Sequence, residues 1–374
     1  MIRNFTKEPF LAVFLVLLIF LIPSCGTSPK PDLQARSASR TRASPGTPSP
    51  HMDGPRAPVP GIISGPDYAQ TVTNDQYLPT ALRLIRSARS DILAVQFLFI
   101  YGPATKKIQK ALGEAVGRGV RVRVLLDEES HRTRESVRHL RRRGIDAKLD
   151  SLERRTHTKL LIADNTALFG STNWTTTSMT RNNEVNLLLT IPKLVEALRA
   201  YADFLWDSSA EPYRVPPVRV RGIRLLFDQD YLPAAEDLLR KASKIDLQLY
   251  GVRYYNDPQS PSTHLVDLVA DAARKGERVR AIIEESDFNE ATNSGNLEAV
   301  EILRRAGAEV LRDPYHVTSH AKMLLTDRGV IIGSTNWGYE ALAERHELNV
   351  LVENPAVAAP LREYFEALYR AAKE

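Results

Sequence analysis

The chain has 374 residues, of which 43% are hydrophobic and 25% are charged. This composition excludes an intrinsically disordered chain and a polytopic membrane protein, and the length allows two domains of ordinary size. The formal net charge of +5 favours an anionic partner, and phospholipid head groups and nucleic acid both meet that requirement.

The first 25 residues have the layout of a secretory signal. Two basic residues, Arg3 and Lys7, precede an unbroken apolar run over 10–22, and Pro-Ser-Cys-Gly follows it. The run is too short to span a bilayer comfortably, and small residues at its exit are typical of a signal peptide. Residues 1–25 therefore predict that the rest of the chain is exported.

The single cysteine, Cys25, lies at the end of this segment. One cysteine excludes an internal disulfide framework. Its position resembles that of the lipidated cysteine in a bacterial lipoprotein signal, which would anchor the protein in a membrane facing the periplasm or the cell exterior. The alternative is a plain cleavable signal, or a short uncleaved anchor with an incidental cysteine.

Residues 26–67 are rich in Pro, Ser, Arg, Thr and Gly and contain almost no large apolar residues. Such a segment cannot bury enough apolar surface to fold, so it predicts a disordered tether. A tether on a lipidated Cys25 would hold a globular body close to a membrane surface.

The remaining chain is a tandem repeat, predicted as a first half over 68–214 and a second half over 215–374. The sequence Tyr-Leu-Pro that opens a helical pattern at Tyr77 recurs at Tyr231. Apolar strands then alternate with helices of 3.6-residue periodicity in both halves. This order predicts α/β halves, each a mixed sheet covered by helices.

The two halves differ in the length that precedes their shared motif. The interval from Tyr231 to His320 is nine residues longer than that from Tyr77 to His157, with extra length near 256–261 and 286–295. Both insertions follow strands, where loops commonly line a site. We expect them to shape substrate access.

The repeat is sharpest around one motif in each half. It reads His-x-Lys followed by Asp and then Gly-Ser-Thr-Asn-Trp, with a Glu at the same interval downstream. Its polar positions are His157, Lys159, Asp164, Ser171, Asn173 and Glu184 in the first half, and His320, Lys322, Asp327, Ser334, Asn336 and Glu347 in the second.

These residue types suit a phosphodiester. A His and a Lys two residues apart on a strand point to the same face. Lys, Ser and Asn side chains donate hydrogen bonds to anionic oxygens and can stabilise a five-coordinate transition state. No carboxylate cluster of the two-metal kind is present, so neither a metal nor a cofactor is expected.

Two imidazoles can divide the chemistry of such a site. A neutral His attacks phosphorus, a protonated His donates to the departing alkoxide, and the second then activates water. Glu184 and Glu347 are predicted to orient the rings, each bonded to the His of its own half. Asp164 and Asp327 lie at the far ends of buried strands and are predicted to be structural.

Both motifs resemble the core of the phospholipase D superfamily, H-x-K-x(4)-D-x(5)-G-S-x-N, and the resemblance covers about 68–374. It implies a pseudo-twofold arrangement around one site, metal-free catalysis and a phosphohistidine intermediate. It also implies that His157 and His320 are nucleophile and acid in some order, and that Lys159, Lys322, Asn173 and Asn336 bind phosphate. Ser171 and Ser334 would assist. In relatives the first-half His is usually the nucleophile, but the symmetry of this sequence does not choose.

Four functions fit these motifs. The first is a monomeric phospholipase D-type enzyme that hydrolyses or transphosphatidylates phospholipids, which the export signal favours. The second is a nuclease, because six arginines lie between His131 and Arg143 on a predicted helix that would suit a nucleic-acid backbone. The others are a cardiolipin-synthase-like phosphatidyltransferase and a non-enzymatic phosphate-binding lipoprotein. Of the remaining histidines, His316 and His346 flank the second motif and are the best candidates for a further role.

Overall fold

The computed structural model describes residues 68–128, 130–287, 289–313 and 316–373. The predicted signal, the tether and Cys25 lie outside these residues. None of the helices in the described part of the chain combines the length and apolarity needed to cross a membrane.

The first half forms one mixed sheet of seven strands in the order β1-β7-β6-β5-β2-β3-β4. β2, β3 and β4 run parallel to one another and the other neighbours are antiparallel. The central strands are buried on both faces, as expected for a sheet covered on both sides. The strands are β1 (Ala69–Thr73), β2 (Asp91–Gln96), β3 (Arg121–Leu126), β4 (Asp146–Leu149), β5 (Lys159–Ala163), β6 (Thr166–Gly170) and β7 (Val185–Leu189).

The second half repeats this sheet with one extra edge strand, in the order β12-β11-β10-β13-β14-β15-β9-β8. Its parallel part is β10 to β12. The strands are β8 (Arg219–Val220), β9 (Ile223–Phe227), β10 (Lys244–Leu249), β11 (Arg278–Ile283), β12 (Glu309–Arg312), β13 (Met323–Thr326), β14 (Val330–Gly333) and β15 (Leu348–Val352). The predicted boundary between 214 and 215 falls between the two sheets.

Helices connect the strands and cover both sheets, which confirms the α/β prediction. Each parallel pair of strands is linked through a helix, because parallel neighbours need a crossover connection. The helices are α1 (Tyr77–Ser87), α2 (Pro103–Gly117), α3 (His131–Arg141), α4 (Thr176–Thr180), α5 (Pro192–Ser208), α6 (Tyr231–Lys241), α7 (Pro261–Arg274), α8 (Glu290–Arg305), α9 (Tyr339–Ala343) and α10 (Pro355–Ala371).

The hydrophobic core has three parts. Two of them cover the outer faces of the two sheets: one lies under α1 and α2 in the first half, and the other lies under α6 and α7 in the second. The third lies between the sheets, where Leu198 and Tyr201 of α5 and Leu361 and Phe365 of α10 pack with side chains from both. Because burial of one large apolar side chain contributes about 1.5–3 kcal/mol, this shared core fixes one half against the other.

Candidate active site

Both His-Lys pairs stand at the start of a central strand, where the two sheets meet. Lys159 is the first residue of β5, and Lys322 directly precedes β13. The side chains of His157, Lys159, His320 and Lys322 are all buried. Since burying a charge is costly, the two buried lysine ammoniums favour a site that receives an oppositely charged ligand.

The backbone joins the halves at this point. The His157 amide donates to the carbonyl of His346 at 2.9 Å, and the His320 amide donates to the carbonyl of Asn183 at 2.9 Å. His346 and Asn183 are the residues just before Glu347 and Glu184. Each motif is therefore paired with the segment that carries the glutamate of the other half.

The glutamates consequently cross between the halves. Glu347 lies with both carboxylate oxygens 3.0 Å from Nδ1 of His157, and Glu184 lies 3.0 Å from Nδ1 of His320. The prediction that each glutamate orients the His of its own half is wrong. The interval from His to Glu is equal in both halves, so spacing fits an own-half pair and a crossed pair equally well.

Each serine holds the glutamate of its own half. The Ser171 hydroxyl donates to Glu184 and accepts from the Val185 amide at 3.0 Å, and Ser334 does the same with Glu347 and Leu348. Their hydroxyls are occupied by protein partners, so the expectation that they assist phosphate binding is corrected. They position the carboxylates that reach across to the opposite histidine.

The glycine before each serine makes this arrangement possible. A Cβ on Gly170 would collide with backbone of Val185 and Asn186, and one on Gly333 would collide with Leu348 and Asn349. Only glycine allows β6 and β14 to approach their neighbours this closely. The Gly-Ser pair thus brings the hydroxyl within reach of the glutamate.

The two asparagines have polar groups available for a ligand. Asn173 and Asn336 follow the serines, and their buried side-chain oxygens have no hydrogen-bond partner in the described part of the chain. Buried amide groups are normally satisfied. An unsatisfied acceptor in each half requires a donor, such as a ligand hydroxyl, whereas the phosphate-binding role predicted for Asn173 and Asn336 would fall to their side-chain amide nitrogens, which donate.

The two lysines make the site electropositive. Burial disfavours their charged forms, and a bound anion would offset that desolvation penalty. Each ammonium donates to the carbonyl of the histidine two residues before it. Burial lowers the pKa of Lys322 to about 8. Burial also lowers the pKa of Lys159 well below its usual value, and the Lys322 charge lowers it further. A phosphodiester between them would favour the charged form of both.

The two histidines have different surroundings. Burial, followed by the charges of Lys159 and Arg345, lowers the pKa of His157 well below its usual value. Burial also lowers the pKa of His320, but the carboxylate of Glu184 opposes that shift. Arg345 stands where the first half has Asn182. The environment thus favours a neutral His157 and tolerates a protonated His320.

Glu347 also differs from an ordinary surface carboxylate. Burial raises its pKa to about 7, against the lowering effect of the Lys159 charge. A hydrogen bond to the Nδ1 proton of His157 leaves Nε2 of that ring free of its proton. This is the tautomer that a nucleophilic imidazole requires.

Asp164 and Asp327 lie outside the site. Asp164 accepts from the amides of Arg89, Ser90 and Asp91 at 2.8–3.0 Å, and Asp327 accepts from the amides of Ser243 and Lys244. Both fasten the end of the motif hairpin to the turn that enters β2 or β10. They touch none of the site residues described above.

Replacement of Asp164 by Asn should therefore lower stability more than it lowers catalysis. Burial alone would raise the pKa of Asp164, but hydrogen bonds from the Ser90 hydroxyl and from the amides hold it below its usual value. The carboxylate therefore contributes stability at neutral pH that is lost as pH falls through the folded pKa. We expect a loss of about 1–3 kcal/mol in the free energy of unfolding, measured by urea denaturation. An equal decrease in kcat and no change in stability would contradict a structural role.

One buried polar network beside the site was not predicted. The His346 ring is fully buried, with Nδ1 2.8 Å from Asp228 and Nε2 2.9 Å from the carbonyl of Ser209. Tyr201 donates to Asp228 at 2.8 Å, and Asp228 also accepts from the Glu347 amide at 3.0 Å. The network fixes the backbone of Glu347. Of the two histidines flanking the second motif, His346 has this role, and His316 is exposed.

The described residues contain no group of three or more His, Cys, Asp or Glu side chains arranged to hold a metal ion. What they do contain is a buried pair of imidazoles, each bonded to a carboxylate from the opposite half and accompanied by a lysine and an asparagine. This arrangement defines a class of protein with a duplicated α/β fold and one composite site for an anionic ester.

Comparison with known proteins agrees with this class. The family model described as cardiolipin synthase, PLD-like domain, matches residues 81–206 and 237–369. The chain therefore belongs to the phospholipase D superfamily, as its motifs predict.

Individual relatives cover smaller parts of the chain. The mitochondrial cardiolipin hydrolase of Chlamydomonas reinhardtii is 35% identical over 96 residues, which is 25% of this chain and 43% of that protein. The phospholipase D of Rickettsia conorii is 33% identical over 103 residues, or 27% and 52% of the two chains. The matches thus span about half the length of these curated relatives. The solved phosphatidylserine synthase of Haemophilus influenzae shares the fold, with a TM-score of 0.65, 14% identity and coverage of 81% and 86%.

Proposed function

We propose that this protein cleaves phospholipids at the phosphodiester bond through a phosphohistidine, and passes the phosphatidyl group to water or to an alcohol. The crossed pairs His157–Glu347 and His320–Glu184 carry this proposal, because they supply one oriented base and one oriented acid. Two curated relatives with lipid diesters in their names, the cardiolipin hydrolase and the phospholipase D, support a lipid substrate.

His157 is the nucleophile in this proposal and His320 is the acid. Nε2 of neutral His157 attacks phosphorus, and the bond from phosphorus to the leaving oxygen breaks as His320 donates its Nε2 proton to that oxygen. Neutral His320 then takes a proton from water, the hydroxide attacks phosphorus, and the phosphorus–nitrogen bond breaks to restore His157. The charge of Arg345, which stands on the His157 side alone, favours this assignment.

The lysines and asparagines stabilise the transition state. Charge on the non-bridging oxygens increases as the fifth bond forms, and donors fixed in a site that excludes water stabilise it without reorganisation. Lys159 and Asn173 from the first half and Lys322 and Asn336 from the second can approach these oxygens from opposite sides.

A direct comparison of substrates tests the proposal. The purified full chain, in detergent and with a chelator present, is given phosphatidylglycerol vesicles, phosphatidylcholine vesicles, and single- and double-stranded DNA. We expect release of the head group and intact DNA. Cut DNA with untouched lipid would contradict a phospholipid substrate, and loss of activity with chelator would contradict the predicted metal independence. Added alcohol distinguishes hydrolysis from transfer through the lipid product formed.

Nuclease activity is the second candidate because of α3. The helix and the two residues after it expose Arg132, Arg138, Arg142 and Arg143, a charge pattern that suits a phosphate backbone. Other arginines of this region are occupied: Arg134 bonds to Glu128 at 2.6 Å, and Arg141 donates to the carbonyl of Ala147 at 2.7 Å. The DNA samples of the same assay decide between the two substrates.

We also propose that the protein is exported and attached to a membrane through lipidated Cys25. The apolar run over 10–22 and the small residues after it support this location. Cys25→Ser should release the protein from the membrane fraction to the soluble fraction of the cells that express it. Unchanged partitioning of the variant would contradict lipid attachment, and a metabolic label with a fatty acid should mark the original chain only.

A further inference from the structure

One aromatic ring packs against each site histidine and forms a wall of the site, and the two rings differ by one hydroxyl group. Phe97 follows β2 and Tyr250 follows β10. Their rings meet His157 and His320 edge to face, with centroids 4.6 Å and 4.7 Å apart and the same interplanar angle of 66°. Each ring also carries the ammonium of its own lysine, Lys159 or Lys322, at 4.9 Å and 4.8 Å. The tyrosine hydroxyl is thus present on the His320 side of the site and has no counterpart on the His157 side.

This hydroxyl is held by the segment in which the second half is longer. It lies 3.3 Å from Oδ1 of Asn289 and 3.3 Å from the Thr292 hydroxyl. Asn289 is itself fixed, because its amide donates to Glu284 at 2.7 Å and to Thr318 at 3.0 Å. The extra length near 286–295 therefore contacts the wall of the site, as its position after a strand predicts.

The hydroxyl has capacity for one more partner. A phenol donates one hydrogen bond and accepts two. Tyr250 donates to Asn289 and accepts from Thr292, which leaves one lone pair for an outside donor. Lys322 already occupies a face of the ring, so that face is closed to a quaternary ammonium, which has no hydrogen-bond donor of its own.

We propose that Tyr250, fixed by Asn289 and Thr292, forms the subsite for the leaving alcohol and selects alcohols that carry a hydrogen-bond donor. A hydroxyl group, as in glycerol, and a primary ammonium group, as in ethanolamine, both satisfy this requirement, and choline does not. The inference rests on the proposed function, in which His320 protonates the leaving oxygen. That step places the alcohol beside the wall that Tyr250 forms.

Phosphatidylethanolamine and phosphatidylcholine give the sharpest test, because both head groups are zwitterionic and only the first carries a donor. Each is presented to the full chain in vesicles of the same carrier lipid, and the ratio of kcat/KM for head-group release is measured. We expect a preference for ethanolamine that falls about five- to tenfold in Tyr250→Phe, as the loss of one hydrogen bond implies. Thr292→Val should reduce the ratio in the same direction but less.

Phe97→Tyr is the matched control, since it adds the same hydroxyl to the opposite wall. It should leave the ratio within about twofold of the original, as expected for a group outside the subsite. Loss of structure lowers both rates together and does not move the ratio. A ratio in Tyr250→Phe equal to that of the original chain, or a change of the same size in Phe97→Tyr, would overturn the subsite.

A lipid-free measurement separates this inference from the proposed function. Failure to release any head group contradicts the phospholipid substrate alone. With bis(4-nitrophenyl) phosphate as donor, ethanolamine and choline then compete with water for the phosphohistidine, and the acceptor occupies the leaving-alcohol subsite. Preferential capture by ethanolamine that is lost in Tyr250→Phe supports the subsite, and equal capture of both alcohols contradicts it.

Discussion

Replacing His157 with Ala should block cleavage of every phosphodiester, whereas replacing His320 with Ala should block the first cleavage step only when the leaving alcohol is a poor one. Without His157 no covalent intermediate forms, and we expect the rate to fall by at least about 10³-fold. Without His320 the leaving oxygen lacks its proton donor. An alkyl alcohol depends on that proton, but 4-nitrophenolate departs as a stable anion.

The measurement compares head-group release from phosphatidylglycerol with 4-nitrophenol release from bis(4-nitrophenyl) phosphate. His320→Ala should lose the first and retain a single burst of the second, which leaves a 4-nitrophenyl phosphoryl group covalently attached to His157 because no base activates water. His131→Ala is the control, because His131 is exposed on α3 and lies outside the site. Full activity of either active-site variant would contradict the two-histidine mechanism, and a burst in His157→Ala would reverse the two roles.

The sequence predicts the fold well because the same pattern of strands and helices occurs twice in the chain. The alternation of strands and helices predicts two α/β halves, and the structure contains them with their strands in equivalent order. The motif also predicts that His157, Lys159 and Asn173 come together, since a strand of alternating side chains fixes the first two on one face.

Contacts between the halves could not be read from the sequence. Glu184 and Glu347 follow their histidines at equal intervals, and only the backbone pairing of His157 with His346 assigns each glutamate to the opposite half. The same limit applies to Tyr201, Asp228 and His346, which come from three separate elements. Burial and hydrogen bonding depend on the packing of these elements, and no local pattern encodes that packing.

The crossed pairs predict that substitution of the glutamate of one half has the same kinetic effect as substitution of the histidine of the other half. Glu184→Gln should act as a weaker His320→Ala, with a loss of about 10²- to 10⁴-fold on phosphatidylglycerol and a smaller loss on bis(4-nitrophenyl) phosphate. Glu347→Gln should act on the nucleophile His157 and slow both substrates equally. If each glutamate instead served the histidine of its own half, Glu347→Gln would show the unequal losses and Glu184→Gln the equal ones. The ratio of the losses on the two substrates, measured for each variant, therefore decides between crossed and own-half pairing.

The pH dependence of kcat/KM provides an independent test of the same His–Glu pairs. The Glu184 carboxylate supports the pKa of His320 against the lowering effect of burial, and His320 must be protonated to act as the acid. Glu184→Gln removes that support, so the alkaline limb of kcat/KM should move to lower pH. Ser171→Ala should shift the limb in the same direction but less, because Ser171 only positions Glu184. Ser334→Ala is the matched control, since it acts on Glu347 and should leave the alkaline limb in place. A shift of that limb in Ser334→Ala instead of Ser171→Ala would mean that each glutamate serves its own half in solution.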